Sequence, residues 1–257
     1  MRQSFRQAAI LESVARLGSC SVSQLARQLS VSSETIRRDL KVLASSGRVI
    51  KSHGGVALPD ILRESAFEQR LRENADAKKR IARRVAHEIG DGDSVMLDTG
   101  STTAYVAYAL RDHRDLTVVT NSIDIARALA TRNGNRVFMA GGELRADDGA
   151  ALGPSAAAFV EQFRVRTAIL SIGAIDANDG PMNFDLAEAA FSRVVVGRAD
   201  RTILAVDHSK FGRRATVKVV SWSAVDMLVT DAPPPDPFAR QFAEAGVDVL
   251  IAEDEAD

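Results

Sequence analysis

The chain has 257 residues, of which 46% are hydrophobic and 26% charged, and its formal net charge is −1. These values are ordinary for a globular protein of one or two domains, and they exclude a disordered, collagen-like or coiled-coil chain. The single cysteine, Cys20, excludes an intrachain disulfide framework and fits a reducing compartment. The sequence also lacks an apolar stretch of ~18 residues and an apolar segment after its basic start, so we expect a cytoplasmic protein.

Charge is distributed unevenly along the sequence. Residues 1–53 contain nine Lys or Arg and three Asp or Glu, whereas the remainder contains 24 basic and 31 acidic residues. A basic segment beside an acidic one is typical of a nucleic-acid-binding module joined to a different domain. Chance variation of surface charge is the alternative, and charge alone does not decide between the two.

The basic segment predicts three short helices. Apolar residues recur with helical spacing over residues 5–17 and are followed by glycine, which commonly ends a helix. Ser23 is placed to cap a second helix over residues 24–29, and Ser32 is placed to cap a third over residues 33–45. Serine is a preferred cap because its hydroxyl accepts a hydrogen bond from an amide that the first turn leaves open.

The third predicted helix has an apolar face and a charged face. Ile36, Leu40 and Leu43 recur at core-facing spacing, and a hairpin with a glycine turn at residues 53–55 follows. Helix, turn, helix and hairpin over residues 1–58 predict a winged helix-turn-helix, whose second paired helix enters the major groove of DNA. A merely solvated polar face is the alternative. The predicted DNA contacts are Ser33, Glu34, Thr35, Arg37, Arg38, Lys41, Lys51 and His53.

A charged segment at residues 59–74 is interpreted as a linker, and from Ala75 onward short apolar strands alternate with helices. Strands without polar alternation, separated by helices, indicate a mainly parallel sheet covered on both faces. Residues 75–257 are therefore predicted as an α/β domain. Its predicted strands span residues 95–98, 116–120, 137–141, 168–173, 203–207, 227–230 and 249–252, with another over 215–220 at or near an edge.

Polar or glycine-rich loops follow three successive predicted strands. In open parallel sheets ligands bind beyond the carboxyl ends of the strands, and glycine, hydroxyl groups and the amides of a helix start suit an anion. Ordinary strand-to-helix caps are the alternative for any one loop, but three together favour a pocket. The predicted pocket residues are Asp98, Gly100, Ser101, Thr102, Thr103, Thr120, Asn121, Ser122, Gly141 and Gly142.

Several segments carry recognisable motifs. In the basic part these are Thr35-Ile36-Arg37-Arg38-Asp39-Leu40 and His53-Gly54-Gly55, and in the acidic part they are Asp98-Thr99-Gly100-Ser101-Thr102-Thr103, Thr120-Asn121-Ser122, Ala140-Gly141-Gly142-Glu143-Leu144-Arg145 and Asp207-His208-Ser209-Lys210-Phe211-Gly212-Arg213. The sequence thereby resembles the DeoR family of bacterial transcription regulators. The first motif is highly specific to that family, and the resemblance covers nearly the whole chain.

The resemblance implies a repressor that binds operator DNA, senses a small phosphorylated metabolite and forms a homo-oligomer, either a dimer or a tetramer. It also relates the fold of the sensor domain to sugar-phosphate isomerases. Residues 207–213 and 230–235 are most similar to regulators of glycerol 3-phosphate metabolism, whereas residues 171–176 depart from them. The effector is therefore expected to be glycerol 3-phosphate, with another sugar phosphate as the alternative. The resemblance adds to the pocket Arg70, Lys78, Asp207 and Lys210, with Glu188 as a further candidate.

A sugar-phosphate isomerase is the alternative function, since a catalytic base and a lysine could occupy the same pocket. An isomerase has no need of a basic helix-turn-helix, so the sequence favours a regulator, while a purely architectural DNA-binding protein would leave the pocket without a role. Asp207, His208 and Ser209 are adjacent and cannot converge as a hydrolase triad. The histidines and Cys20 lack the spacing of metal ligands, so we predict neither a metal nor a cofactor.

Overall fold

A computed structural model describes residues 3–17, 19–46, 48–52, 55–57 and 64–253. Packing divides the chain into two units, Met1–Ser65 and Ala66–Asp257. The segment interpreted as a linker, residues 59–74, crosses this division. Its second half belongs to the larger unit and contains a helix in which Phe67 and Arg70 are buried.

The N-terminal unit contains three helices and three short strands. In chain order these are α1 (Gln3–Leu17), β1 (Ser19–Ser21), α2 (Val22–Gln28), α3 (Ser33–Ser45), β2 (Ile50–Ser52) and β3 (Gly55–Ala57). The strands form an antiparallel sheet in the order β1-β3-β2. The predicted winged helix-turn-helix is confirmed, with α2 and α3 as the helix pair and the sheet as the wing. Its core includes Ile10, Val14, Leu25, Ile36, Leu40, Leu43 and Val56.

Serine caps determine where α2 and α3 begin. Ser32 Oγ accepts a hydrogen bond from the backbone N of Thr35 at 3.2 Å, as predicted for α3. The prediction for α2 is wrong by two residues. Ser21, rather than Ser23, is its cap and accepts from the backbone N of Gln24 at 3.1 Å. Each cap satisfies one of the amides that a helix start leaves open.

The wing contains a third strand that the sequence did not predict. β1 pairs with β3, and there the backbone of Gly55 lies against that of Cys20. A Cβ atom at Gly55 would lie 2.3 Å from the carbonyl oxygen of Cys20. A glycine is therefore required for the two strands to approach this closely. The turn residues His53 and Gly54 lie outside the described residues.

The C-terminal unit is built on a parallel sheet. Its helices are α4 (Phe67–Arg72), α5 (Ala75–Ala86), α6 (Ser101–Ala109), α7 (Ile123–Leu129), α8 (Pro154–Glu161), α9 (Leu186–Gly197) and α10 (Asp236–Ala245). Its strands are β4 (Ser94–Leu97), β5 (Thr117–Thr120), β6 (Arg136–Met139), β7 (Val165–Leu170), β8 (Ala174–Asp176), β9 (Gly180–Asn183), β10 (Ala199–Ala205), β11 (Val217–Lys218), β12 (Met227–Thr230) and β13 (Asp248–Ile251). Seven strands pair in parallel in the order β13-β12-β10-β7-β4-β5-β6, which confirms the predicted α/β class. In the described part of the chain, no helix combines the length and the apolar character needed to cross a bilayer.

The main sheet is covered on both faces. Val95 and Leu97 of β4 pack into a core with α5, α6 and α7, while Met96 packs into a second core with α8, α9 and α10, because successive side chains of a strand point to opposite faces. The strand order reverses between β4 and β7. Sheets of this kind bind ligands in the crevice beyond the carboxyl ends of the strands at such a reversal.

A small antiparallel sheet, in the order β11-β9-β8, accompanies the main one. The sequence did not predict β8 or β9. The strand predicted over residues 215–220 is present only as β11, and it belongs to this small sheet rather than to an edge of the main sheet. These strands have two to four residues and mix apolar with polar, glycine or proline residues, so they lack the continuous apolar runs of the main sheet.

Candidate functional site

The first turns of α3 carry the predicted DNA contacts on one face. Ser33 is half-buried, and Thr35 Oγ1 lies 2.9 Å from Ser32 Oγ, so the Thr35 side chain also takes part in the helix cap. Beyond the cap the face is charged and accessible. The exposed side chains on it are Glu34, Arg37, Arg38 and Lys41.

Glu34 lies between the two arginines of this face. Its carboxylate is 3.5 Å from Arg37 Nη1 and 4.0 Å from Arg38 Nε, and the two arginine side chains are 64% and 81% exposed. Exposed ion pairs of this kind contribute little to stability, so either arginine can leave Glu34 for another acceptor. Arginine donates two parallel hydrogen bonds to guanine or to phosphate, and the face is therefore suited to a DNA groove.

A buried ion pair that sequence reasoning missed connects α1 to α3. Arg6 donates through Nη2 to one carboxylate oxygen of Asp39 at 3.2 Å and through Nε to the other. The hydrogen bond to Asp39 raises the pKa of Arg6. Asp39 lies on the core-facing side of α3 between Ile36 and Leu40, which was the available signal, because a buried carboxylate requires a cation nearby. The pair fixes α3 against α1.

Two further DNA contacts, Lys51 and His53, were predicted in the hairpin segment. The backbone of Lys51 lies in β2, but its side chain and the whole of His53 fall outside the described residues. Contact of these residues with the DNA backbone stays a prediction.

Arg37→Ala and Arg38→Ala are each expected to weaken operator binding, by about 1–3 kcal/mol where a bidentate contact to a base is lost. Since both side chains are exposed, the thermal midpoint should not change. Fluorescence anisotropy with an operator duplex measures the effect, and Arg240→Ala on the exposed surface of α10 is a charge-matched control. Wild-type affinity in both folded variants would show that α3 is not the DNA-reading helix.

The loop after β4 leads into the first turn of α6 at the reversal of strand order. Gly100 precedes α6, and Ser101, Thr102 and Thr103 form its buried first turn. Thr103 Oγ1 donates to the carbonyl oxygen of Asp98 at 2.8 Å and closes the loop. The hydroxyl groups of Ser101 and Thr102 have no hydrogen-bond partner among the described residues. Together with the amides that a helix start leaves open, they can bind an anion.

Asp98 is buried at the end of β4 and holds neighbouring elements together. Its Oδ1 accepts from the backbone N of Ser171, after β7, at 3.0 Å. Its Oδ2 accepts from Ser192 Oγ, on α9, at 3.3 Å. Both carboxylate oxygens therefore have protein partners, and the geometry gives Asp98 a positioning role at the crevice.

The polar loop after β5 bonds largely to the protein itself. Thr120 Oγ1 accepts from the backbone N of Ser122 at 3.1 Å, and Ser122 Oγ caps α7 by accepting from the backbone N of Ile125 at 3.4 Å. Asn121 Nδ2 donates to the carbonyl oxygen of Ala151 at 3.0 Å. The buried Oδ1 of Asn121 has no partner within the described part of the chain, so it is the atom of this loop best suited to a ligand.

Asp207 organises the turn that follows β10. Its carboxylate caps the short 3-10 helix at residues 208–210 by accepting from the backbone N of Ser209 at 3.0 Å, and it also accepts from Asn74 Nδ2 at 2.9 Å. On the other side of the turn, Asp231 accepts from the backbone N of His208 at 2.7 Å and lies 2.7 Å from its Nδ1. Sequence reasoning missed both contacts, because Asn74 lies in no recognisable motif and the resemblance of residues 230–235 does not indicate what Asp231 binds.

Three cations that the sequence predicted for the pocket, Arg70, Lys78 and Lys210, are buried, and the charges of the two lysines act on Asp207. Lys78 is 2% exposed and donates through Nζ to the carbonyl oxygens of Arg70 and Glu73. Its pKa is lowered from 10.5 to about 8, first by burial and then by the charges of Lys210 and Arg70, against the raising effect of Asp207 and Glu73. Burial alone would raise the pKa of Asp207, but hydrogen bonds from Ser209 and the charges of Lys210 and Lys78 hold it below its usual value. Lys78, Arg70, Lys210 and Asp207 thus form one electrostatic cluster.

The loop at residues 145–148 contacts both α4 and the crevice. Asp147 accepts from the backbone N of Phe67 at 3.1 Å and pairs with Arg70 Nη2 at 3.7 Å. The next residue, Asp148, accepts from Thr99 Oγ1, in the loop after β4, at 3.2 Å. Sequence reasoning missed these contacts, which bring Arg70 and the crevice loop together.

The same loop follows the two glycines predicted for the pocket. Gly141 and Gly142 are exposed after β6 and the chain then turns back at Arg145. The guanidinium of Arg145 pairs with both Asp148 and Glu188. Burial raises the pKa of Asp148, but Arg145 outweighs this and the net direction is downward. Glu188 is therefore occupied by an ion pair within the protein.

The chain was compared with known proteins. The sequence profile described as DeoR C terminal sensor domain matches residues 73–232, and the profile of the DeoR-like helix-turn-helix domain matches residues 6–61. The chain belongs to the DeoR family. For this DeoR chain, the prediction of a DNA-binding transcriptional repressor, rather than an enzyme, is confirmed by relatives that are named as repressors.

The curated relatives align with the DeoR chain over most of their length. The glycerol-3-phosphate regulon repressor of Escherichia coli K12 is 40% identical, covering 91% of this chain and 93% of the relative. The repressor of the same name from Haemophilus influenzae is 37% identical over 90% of each chain, and the transcriptional repressor CsqR of Escherichia coli is 33% identical over 96% of this chain and 95% of the relative. A solved ribose 5-phosphate isomerase from Methanocaldococcus jannaschii covers 54% of the chain with 16% identity and a TM-score of 0.40, a likeness that bears on neither ligand nor activity.

Proposed function

We propose that this repressor is released from operator DNA when a small phosphorylated metabolite, with glycerol 3-phosphate as the first candidate, binds the crevice between the ends of β4, β7 and β10. The observation that carries the proposal is the buried cationic cluster of Arg70, Lys78 and Lys210. The domains proposed for these roles are residues 1–58 for DNA and 75–257 for the effector, with residues 59–74 between them.

The charges of the cluster favour an anion. Three of its buried groups are cations and one, Asp207, is a carboxylate. Of the acids that lie outside this cluster and act on its cations, Glu73 and Asp147 are exposed, whereas Asp148, which interacts with Arg70, is buried and paired with Arg145. Burying a charge is costly unless an opposite charge or hydrogen bonds compensate for it. A phosphate dianion at this position would form charge-assisted hydrogen bonds with both lysines.

The two ends of a phosphorylated polyol differ in what they require. The phosphate end requires donors, which Lys210, Lys78 and the first turn of α6 can supply. The hydroxyl end requires acceptors, and Asp207 Oδ2 and the buried Asn121 Oδ1 are suited to it. A carboxylate repels phosphate but accepts from a hydroxyl group, so the two kinds of residue would orient the ligand.

Two of the relatives reported above are named for the glycerol-3-phosphate regulon, which is why we choose this effector first. CsqR is nearly as similar, so another phosphorylated sugar is the alternative within the same site. Whatever the effector, release requires that it bind the DNA-free form more tightly than the DNA-bound form. We also propose a homo-oligomer, because two-fold operators mirror dimeric readers.

Operator binding titrated with effector tests this proposal. The full chain bound to a labelled operator duplex is titrated with glycerol 3-phosphate, glycerol and a panel of sugar phosphates, and thermal midpoints are measured in parallel. Release and a raised midpoint with one phosphorylated compound, but not with glycerol, are expected, because a ligand selective for the native state stabilises it. Failure of every phosphorylated compound in both assays would refute the sensor role.

A further inference from the structure

Ser171 lies at the reversal of strand order, directly after β7. Its hydroxyl group lies over the backbone of Gly100, the residue that precedes α6. A Cβ atom placed on Gly100 would lie 1.8 Å from Ser171 Oγ. The backbone of Gly100 is extended, with a φ of 173°, so its torsion angle does not require glycine. A side chain at Gly100 would instead have to move the Ser171 hydroxyl group from its place.

The backbone of Ser171 is held in place by a hydrogen bond, whereas its hydroxyl group has no partner in the described part of the chain. The backbone N of Ser171 donates to Asp98 Oδ1 at 3.0 Å, and Ser192 on α9 holds the other oxygen of that carboxylate. In the described part of the chain, Ser171 Oγ makes no hydrogen bond, and the residue is only half-buried. A positioned donor without a protein partner, facing the first turn of α6, is suited to a ligand.

We propose that Ser171 is an effector-binding residue of the crevice, and that its Oγ donates a hydrogen bond to the phosphate group of the effector. This rests on the function proposed above. The arrangement explains why Asp98 is engaged by protein groups, since it orients Ser171 instead of contacting the ligand. It also explains Gly100, because a side chain there would displace the hydroxyl from the helix start.

Ser171→Ala tests the proposal because it removes the hydroxyl group and keeps the Cβ atom and the bond from the backbone N to Asp98. Ser223→Ala, at an exposed serine in the turn before β12, is the matched control. Isothermal titration of the full chain measures affinity for glycerol 3-phosphate and for inorganic phosphate. We expect Ser171→Ala to weaken both by a similar factor of roughly 10 to 100, the range for a lost hydrogen bond to a charged group, with an unchanged midpoint for the ligand-free protein.

The outcomes separate this inference from the function on which it rests. If wild type binds phosphorylated compounds and Ser171→Ala binds them equally well, Ser171 is not a contact and the sensor role stands. If only glycerol 3-phosphate is weakened, the hydroxyl does not contact the phosphate group and the proposal is wrong. If wild type binds no phosphorylated compound, the proposed function fails first. If Ser171→Ala, but not the control, lowers the midpoint of thermal unfolding of the ligand-free protein, the residue has a structural role instead.

Discussion

Lys210→Ala is expected to give a repressor that binds its operator as tightly as wild type but is not released by the metabolite. Lys210 is buried in the turn after β10, and its charge acts on both Lys78 and Asp207. A lost charge-assisted hydrogen bond should raise the effector concentration needed for release by roughly 10- to 100-fold. Operator anisotropy titrated with glycerol 3-phosphate measures the change.

Lys218→Ala is the control for this variant, because Lys218 lies exposed in β11. Asp207→Asn should act differently, since it removes an acceptor for hydroxyl groups, and it is expected to reduce discrimination among phosphorylated compounds. Release of Lys210→Ala at the wild-type effector concentration would remove Lys210 from the site. Loss of operator binding by Lys210→Ala would instead mean that the variant disturbs the DNA-binding form.

Lys78 should make the stability of the protein rise with pH between about 8 and 10.5. Its pKa in the folded protein is about 8, below the 10.5 of an unperturbed lysine, so the unfolded state binds more protons within that window and stability increases with pH. Relative to Lys78→Met, wild type should therefore gain roughly 2–3 kcal/mol between pH 7 and pH 10.

Denaturant unfolding of wild type and Lys78→Met at several pH values measures this gain, because the difference between the two proteins cancels the titration of other groups. Lys218→Met controls for the loss of a lysine charge at an exposed position. Parallel stability curves for wild type and Lys78→Met would mean that Lys78 titrates as an exposed lysine does, and its burial would then not penalise the charged form.

The elements with a strong periodic or capping signal were predictable from the sequence. The apolar spacing of Ile36, Leu40 and Leu43 and the cap at Ser32 gave α3 its observed bounds, and continuous apolar runs identified all seven strands of the parallel sheet. β1, β8 and β9 were missed because their sequences, Ser-Cys-Ser, Ala-Ile-Asp and Gly-Pro-Met-Asn, contain no continuous apolar run. Their existence depends on tertiary pairing, as the contact between Gly55 and Cys20 illustrates.

Where the candidate crevice lies was also predictable, since polar loops at strand ends meet at one edge of a parallel sheet. The contacts of the individual side chains could not be predicted from the sequence. Asp98 looked like a ligand group in the sequence, but its partners, Ser171 and Ser192, lie more than seventy residues away. The same holds for Asn74 against Asp207. Such contacts result from tertiary packing, and the local spacing of residues does not indicate them.

The start of α4 depends on a residue far along the chain. Ala66, at its N-cap position, makes no side-chain capping bond, and the open amide of Phe67 is satisfied by Asp147 instead. Because α4 follows Ser65, where the N-terminal unit ends, this contact holds the start of the C-terminal unit to a loop about eighty residues further along the chain. Asp148, the residue after Asp147, accepts a hydrogen bond from Thr99 in the crevice loop. Amide hydrogen exchange at Phe67 should therefore report whether the hydrogen bond from its backbone N to Asp147 is formed or broken.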